Sequence, residues 1–316
     1  MTAAQGDGRM VDVAGGTGQV ERRVTLSSGH GLDTTFLPDL GMIGISLRHN
    51  GDEFLALPGG IDRYRAGKLT GLPLLAPWAN RLGAFRYAVS GVSVALDGLD
   101  LMTDEHGLPI HGTMTARPGW QVVTVRQRSL TARFEFGSHP DLLASFPFPH
   151  ELRIDAEVEQ ATLRIETTLT PTGDRPVPVA FGYHPYLCLP GVPRADVRLR
   201  LPRRRHVRLD DRGLPTRDVH VEEHEVQPLG GRSFDDLYQL GDDRVLALSG
   251  GGRRLVLDVG EGYGYAQVFT PPSGDAVCLE PMTAPVNALV DGGYPLVPPG
   301  ESFTATFSLH VQEESR

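Results

Sequence analysis

Three isolated polar residues sit in apolar stretches with β character. They are His111 in Leu-Pro-Ile-His-Gly, His184 in Ala-Phe-Gly-Tyr-His-Pro-Tyr-Leu, and Glu280 in Ala-Val-Cys-Leu-Glu-Pro-Met. Burying an imidazole or a carboxylate is costly unless the group is satisfied or used. These are also the residue types that move protons near neutral pH. The chemistry they point to is acid–base work on a small substrate.

His184 precedes Pro185, which pushes it into extended geometry at a strand end or bend. Phe181, Tyr183 and Tyr186 flank it, and the apolar C–H faces of a sugar ring pack on such rings. A satisfied core histidine is the ordinary alternative. Glu280 ends an interior-type strand; alternation puts Cys278 and Glu280 on one face and Val277 and Leu279 on the other. Glutamate there needs a partner or a cleft, a structural salt bridge being the plain alternative. Asn80-Arg81 closes the apolar run Leu72 to Ala79, where a guanidinium could serve hydroxyls or a carboxylate, or merely be a surface charge. In Ser-Phe-Asp-Asp-Leu-Tyr, either Asp235 or Asp236 could face a site.

The elements that would position these residues read as strands. Leu152, Ile154, Ala156 and Val158 alternate with charged residues, and Leu163, Ile165 and Leu169 repeat the pattern after a polar break, predicting a hairpin. Arg244–Leu248 and Leu255–Val259 flank Ser249-Gly250-Gly251-Gly252, a second hairpin signal. No segment sustains a 3.6-residue apolar period. The expected fold is all-β, a large antiparallel β-sandwich with few short helices, spanning residues 21–316 as one domain behind a loose tail at residues 1–20.

Composition narrows the function classes. The 38 glycines and 25 prolines suit many short strands joined by turns. A net charge of −9 argues against nucleic acid as the main partner, and Arg203-Arg204-Arg205 reads as a solvated loop between strands. Two cysteines, Cys188 and Cys278, are too few for a disulfide framework and read as small buried hydrophobes. No apolar run reaches membrane-spanning length and no signal-peptide core opens the chain, so a cytoplasmic protein, monomer or homodimer, is expected. His220-Val221-Glu222-Glu223-His224 has zinc-peptidase spacing but lacks the apolar positions of the helix that chemistry requires, so no metal is expected. Gly15-Gly16-Thr17-Gly18 lacks the lysine of a phosphate loop.

Taken together these segments resemble the aldose 1-epimerase (galactose mutarotase) family. The matching pieces run in order: Asn80-Arg81; Leu108-Pro109-Ile110-His111-Gly112 with Trp120; Phe146-Pro147-Phe148-Pro149; His184-Pro185-Tyr186; Asp235 with Tyr238; and Cys278-Leu279-Glu280 with Asn287. The likeness covers roughly Thr34 to Val311. It implies a sugar cleft on one face of the sandwich, Glu280 as general base and His184 as general acid. Asn80, Arg81, His111, Tyr186 and Asp235 would contact the monosaccharide, and no cofactor is implied. Tyr183 before His184 and Leu187-Cys188-Leu189 after Tyr186 depart from the best-known members and look like a bacterial subgroup, which leaves the preferred sugar open. A hexose-phosphate 1-epimerase and a non-catalytic carbohydrate-binding protein are the alternatives. A glycosidase is disfavoured, since it usually needs two carboxylates flanking the bond.

Overall fold

The computed structural model describes residues 9–14 and 20–313. Two large antiparallel sheets dominate, and the α-helices among the described residues are short: Gly60–Arg65, Pro140–Ser145 and Ala288–Asp291. The nine-stranded sheet is built around the predicted hairpin, His150–Glu159 with Thr162–Pro171 in the register Ile154 to Thr167. The second predicted hairpin, Val245–Gly250 with Arg253–Val259, lies in the same sheet. Long strands of clean alternation form here because one face is solvated and the other packs inward.

The eight-stranded sheet runs Pro215–Glu222, Arg204–Leu209, Asp235–Leu240, Tyr265–Phe269, Val277–Met282, Gly182–Tyr183, Leu74–Leu75, with Tyr186–Leu187 also paired to Val277–Met282. Val277–Met282 is buried throughout. Val277 and Leu279 join the main core, whereas Cys278 and Met282 join a second apolar cluster with Tyr186 and Leu75. Both faces of this strand are covered, which explains its nearly continuous apolar sequence.

Consecutive residues serve opposite faces. Tyr183 packs on Phe307 of the nine-stranded sheet, with ring centroids 5.0 Å apart, and its hydroxyl meets Thr167 Oγ1 at 2.8 Å. Its neighbour His184 therefore emerges on the outer face of the eight-stranded sheet.

Several expectations need correction. Arg9–Ala14, read as part of a loose tail, is a strand antiparallel to Val20–Ser27 in a separate five-stranded sheet. Residues 1–8 and the Gly15–Gly18 run lie outside the described residues. Arg203-Arg204-Arg205 is not simply a solvated loop, because Arg204 begins a strand and is buried. Its guanidinium pairs with Glu222 at 2.7 Å and Glu225 at 2.8 Å and covers the Tyr238 ring, so packing and ion pairing draw it inward. Pro215–Glu222 is a strand, so His220 and His224 do not share a helix face.

The loop carrying His111 is pinned by backbone contacts: His111 N donates to Asn80 O (2.9 Å), Leu82 N to Pro109 O (2.8 Å) and Thr113 N to Ala76 O (2.8 Å). Gly112 holds φ at 68°, and a Cβ there would stand 2.1 Å from Ala76 O, backbone that cannot yield. Gly112→Ala is expected to cost about 3 kcal/mol from strain and overpacking. Urea denaturation measures it; a change near zero would contradict the pinned-loop account.

Candidate active site

Glu280 occupies the middle of Val277–Met282, opposite Gln267 on Tyr265–Phe269. His184 stands in the bend between Gly182–Tyr183 and Tyr186–Leu187, both of which pair with the glutamate's strand. Sheet pairing thus brings the two together: His184 Nε2 lies 3.1 Å from Glu280 Oε1, with both side chains buried. Tyr186 stacks on the His184 ring (centroids 4.8 Å, 17°), and His111 approaches it edge-on at 5.5 Å.

All the residues singled out from the sequence, Asn80, Arg81, His111, His184, Tyr186, Asp235 and Glu280, line one cleft of about 410 Å³. Asp235, rather than Asp236, faces it; Asp236 turns to His206 Nε2 at 3.2 Å. Arg81 Nε donates to Asp104 at 2.8 Å and Nη2 to Asp235 at 3.3 Å, while Asn80 Oδ1 accepts from the Arg81 backbone N–H at 2.8 Å. Asn80 and His111 both hold left-handed backbone, with φ of 57° and 63°. Such conformations persist where surrounding contacts over-determine them, and the N–H of His111 to Asn80 O ties the two directly.

Within this cleft Glu280 Oε2, His184 Nδ1 and His111 Nδ1 are buried without a hydrogen-bond partner. Leaving buried polar atoms unpaired costs free energy, and three such atoms on residues that line one cleft suit a polar ligand. A ring of hydroxyls is one such ligand.

Burial drives both members of the central pair toward their uncharged forms. It lowers the His184 imidazole to about 3 and raises the Glu280 carboxyl well above its usual range, the latter pushed further by Asp235 and opposed by Arg81. Desolvation thus outweighs the upward pull that a neighbouring carboxylate would exert on His184. His111 is also held well below its usual value, first by burial and then by His184 and Arg81. Burial thus disfavours the charged form of each member of the Glu280–His184 pair, and 3.1 Å separates the two groups.

Further residues in or behind the cleft lie outside the sequence motifs. Asp104 holds Arg81 from a turn. Gln267, wholly buried, donates to Asp235 Oδ1 at 2.6 Å; a lone glutamine in Tyr-Ala-Gln-Val-Phe is the same isolated-polar signature that marked Glu280. Phe269 adds a ring 6.0 Å from His184. Asn287 serves the scaffold instead, with Oδ1 accepting from Gly83 N–H at 2.6 Å and Nδ2 donating to Asp291 at 2.6 Å. Trp120, Phe146 and Phe148 are core residues, Cys278 is buried, and Cys188 is half-buried.

The sequence profile of the aldose 1-epimerase family matches residues 22–310, and the chain belongs to that family. Among curated proteins no sequence matches significantly. Solved structures similar to it include a galactose mutarotase-like protein from Clostridium acetobutylicum (18% identity, 97% of this chain and 99% of that one, TM-score 0.83). An aldose epimerase homologue from C. elegans shares 16% identity over 93% of this chain and 100% of its own, with TM-score 0.79. Galactose 1-epimerase from Lactobacillus acidophilus NCFM shares 15% over 99% and 100%, with TM-score 0.77. At these identities the likeness is one of fold. No helix among the described residues is long and apolar enough to cross a membrane.

The buried groups set the pH dependence of stability. His184 near 3 and His150 near 4 both lie below an unfolded value of 6.5, each through burial first. The unfolded chain then binds more protons, so this stability is intact above about pH 6.5 and is lost as pH falls toward these folded values. Glu280 acts with the opposite sign, because its raised folded value makes stability decline as pH rises above the usual 4.5. Glu280→Gln is therefore expected to melt no lower than the unsubstituted protein at pH 8, with the acid limb retained. A clearly lower melting temperature at pH 8 would contradict this.

Proposed function

We propose that this protein is a mutarotase, interconverting the α and β anomers of a free hexose such as glucose or galactose by acid–base ring opening. The observation that carries the reading is the 3.1 Å approach of His184 Nε2 to Glu280 Oε1 in a cleft. The hydroxyl oxygen and the ring oxygen of a pyranose hang on the same carbon. A base for one and an acid for the other must therefore lie close together, as this pair does.

In the reactive arrangement a proton sits on His184 and Glu280 is the carboxylate. Glu280 takes the proton of the C1 hydroxyl, C1=O1 forms as C1–O5 breaks, and His184 delivers its proton to O5. Rotation about C1–C2 presents the other carbonyl face, and reversal of both transfers closes the ring. The pair holds one proton before and after each step. The open-chain intermediate leaves a protonated Glu280 beside a neutral His184, the form that burial favours for both. Asn80, Arg81, His111, Tyr186 and Asp235 would bind and orient the ring, with Gln267 and Asp104 fixing Asp235 and Arg81. The unpartnered buried atoms support a hydroxyl-rich ligand, and a purely binding protein has no need of the acid–base pair.

A hexose-phosphate 1-epimerase is the second reading, favoured by two cations on the cleft wall, Arg63 and Lys68. The unbridged cysteines suit action in a reducing compartment.

Freshly dissolved α-glucose and α-galactose, followed by polarimetry, test the first reading. The protein is expected to accelerate relaxation, and Glu280→Gln to lower kcat about a hundred- to ten-thousand-fold while calorimetric sugar binding survives. Unaltered turnover in Glu280→Gln would remove the base assignment, and no acceleration for any hexose would end the reading.

A further inference from the structure

The cleft contains two cations that the proposed ring-opening chemistry does not use. Arg63, on helix Gly60–Arg65, and Lys68, in the turn after it, both line the cleft that holds Glu280 and His184. The other cations nearby are engaged: Arg65 pairs with Glu21 and Asp62, and Arg81 with Asp104, Asp235 and Glu105. Among the described residues neither Arg63 nor Lys68 has a carboxylate within ion-pair distance, and both are exposed. Arg63 is also felt at the centre of the site. Burial, Cys278 and Glu280 push the Tyr186 phenol up, and the Arg63 charge draws it back. Tyr186 is the ring stacked on His184.

Lys68 is singular in another respect. The chain carries 30 Lys and Arg residues, and Lys68 is its only lysine. The lone lysine thus shares the cleft wall with a guanidinium that has no carboxylate partner among the described residues, in a protein of net charge −9. An ammonium and a guanidinium without carboxylate partners form a receptor for a tetrahedral or planar oxyanion, held by charge-assisted hydrogen bonds.

We infer that the preferred substrate is a pyranose bearing an anionic substituent, phosphate, sulfonate or carboxylate, which Arg63 and Lys68 hold while Glu280 and His184 work on C1. This rests on the mutarotase reading for its chemistry and extends the hexose-phosphate alternative to anionic pyranoses in general. Neutral hexoses fill the same pocket without that anchor and turn over less efficiently.

Exchange NMR at anomeric equilibrium tests it with glucose, glucose 6-phosphate, 6-deoxy-6-sulfoglucose and glucuronate. For at least one anionic sugar kcat/KM is expected to exceed that for glucose about tenfold or more, the size of a charge-assisted contact. The best arm identifies the substituent. Arg63→Gln and Lys68→Gln should each pull that ratio toward one, chiefly through KM, whereas Arg65→Gln, on the same helix but engaged elsewhere, should leave it unchanged. A binding readout independent of turnover comes from reductive ¹³C-dimethylation, which keeps the charge and gives a single lysine resonance. Anionic sugars should shift that resonance and glucose should not. Equal kcat/KM for neutral and anionic sugars, with a lysine resonance indifferent to both, overturns the inference. Absence of mutarotation with every sugar overturns the enzymatic reading instead, and the lysine resonance then decides anion binding on its own.

Discussion

A carboxyl and an imidazole buried together 3.1 Å apart set the terms for everything else in this site. Water would let each adopt its ordinary charge state, and the pair would then be a weak, screened contact. Inside the sheet both are pressed toward neutrality, Glu280 upward and His184 to about 3. Charging either group inside the sheet is costly unless the other compensates it. That constraint demands exclusion of solvent, and the fold supplies it by placing both groups on or beside a strand covered on its two faces.

The supporting contacts follow from the same demand. Asp235 is fixed from one side by Gln267 and from the other by Arg81, which Asp104 holds in turn. Asp235 is thereby matched to donors, and Arg81 opposes the upward push that its charge exerts on Glu280. Asn80 and His111 accept left-handed backbone in two crossing loops that hydrogen-bond to one another, trading local conformational cost for fixed orientation.

Much of this was legible in the chain because period-two patterns and lone polar residues are local signals. The Leu152–Leu169 hairpin and the opposite-face placement of Leu279 and Glu280 follow from alternation alone. Asp235 could not be told from Asp236, since adjacent residues on a strand face opposite ways and only pairing with its neighbours settles which way is in. Arg204 looked like one of three solvated arginines; its burial depends on Tyr238, Glu222 and Glu225, all distant in sequence. Arg63 and Lys68 lie on a six-residue helix and its exit, too short for a periodic signature. The depressed His184 reflects desolvation, a property of the assembled environment that no motif encodes.

The placement of these parts has a mutational corollary. The proton-handling groups are locked by strand register, where Gln267 faces Glu280 and a slip of one position would turn the carboxyl into the core. The cations sit apart, on a short helix and a turn at the protein's edge. Substitution of Arg63 or Lys68 would therefore recast the charge of the cleft wall while the strand register that fixes Glu280 stays untouched.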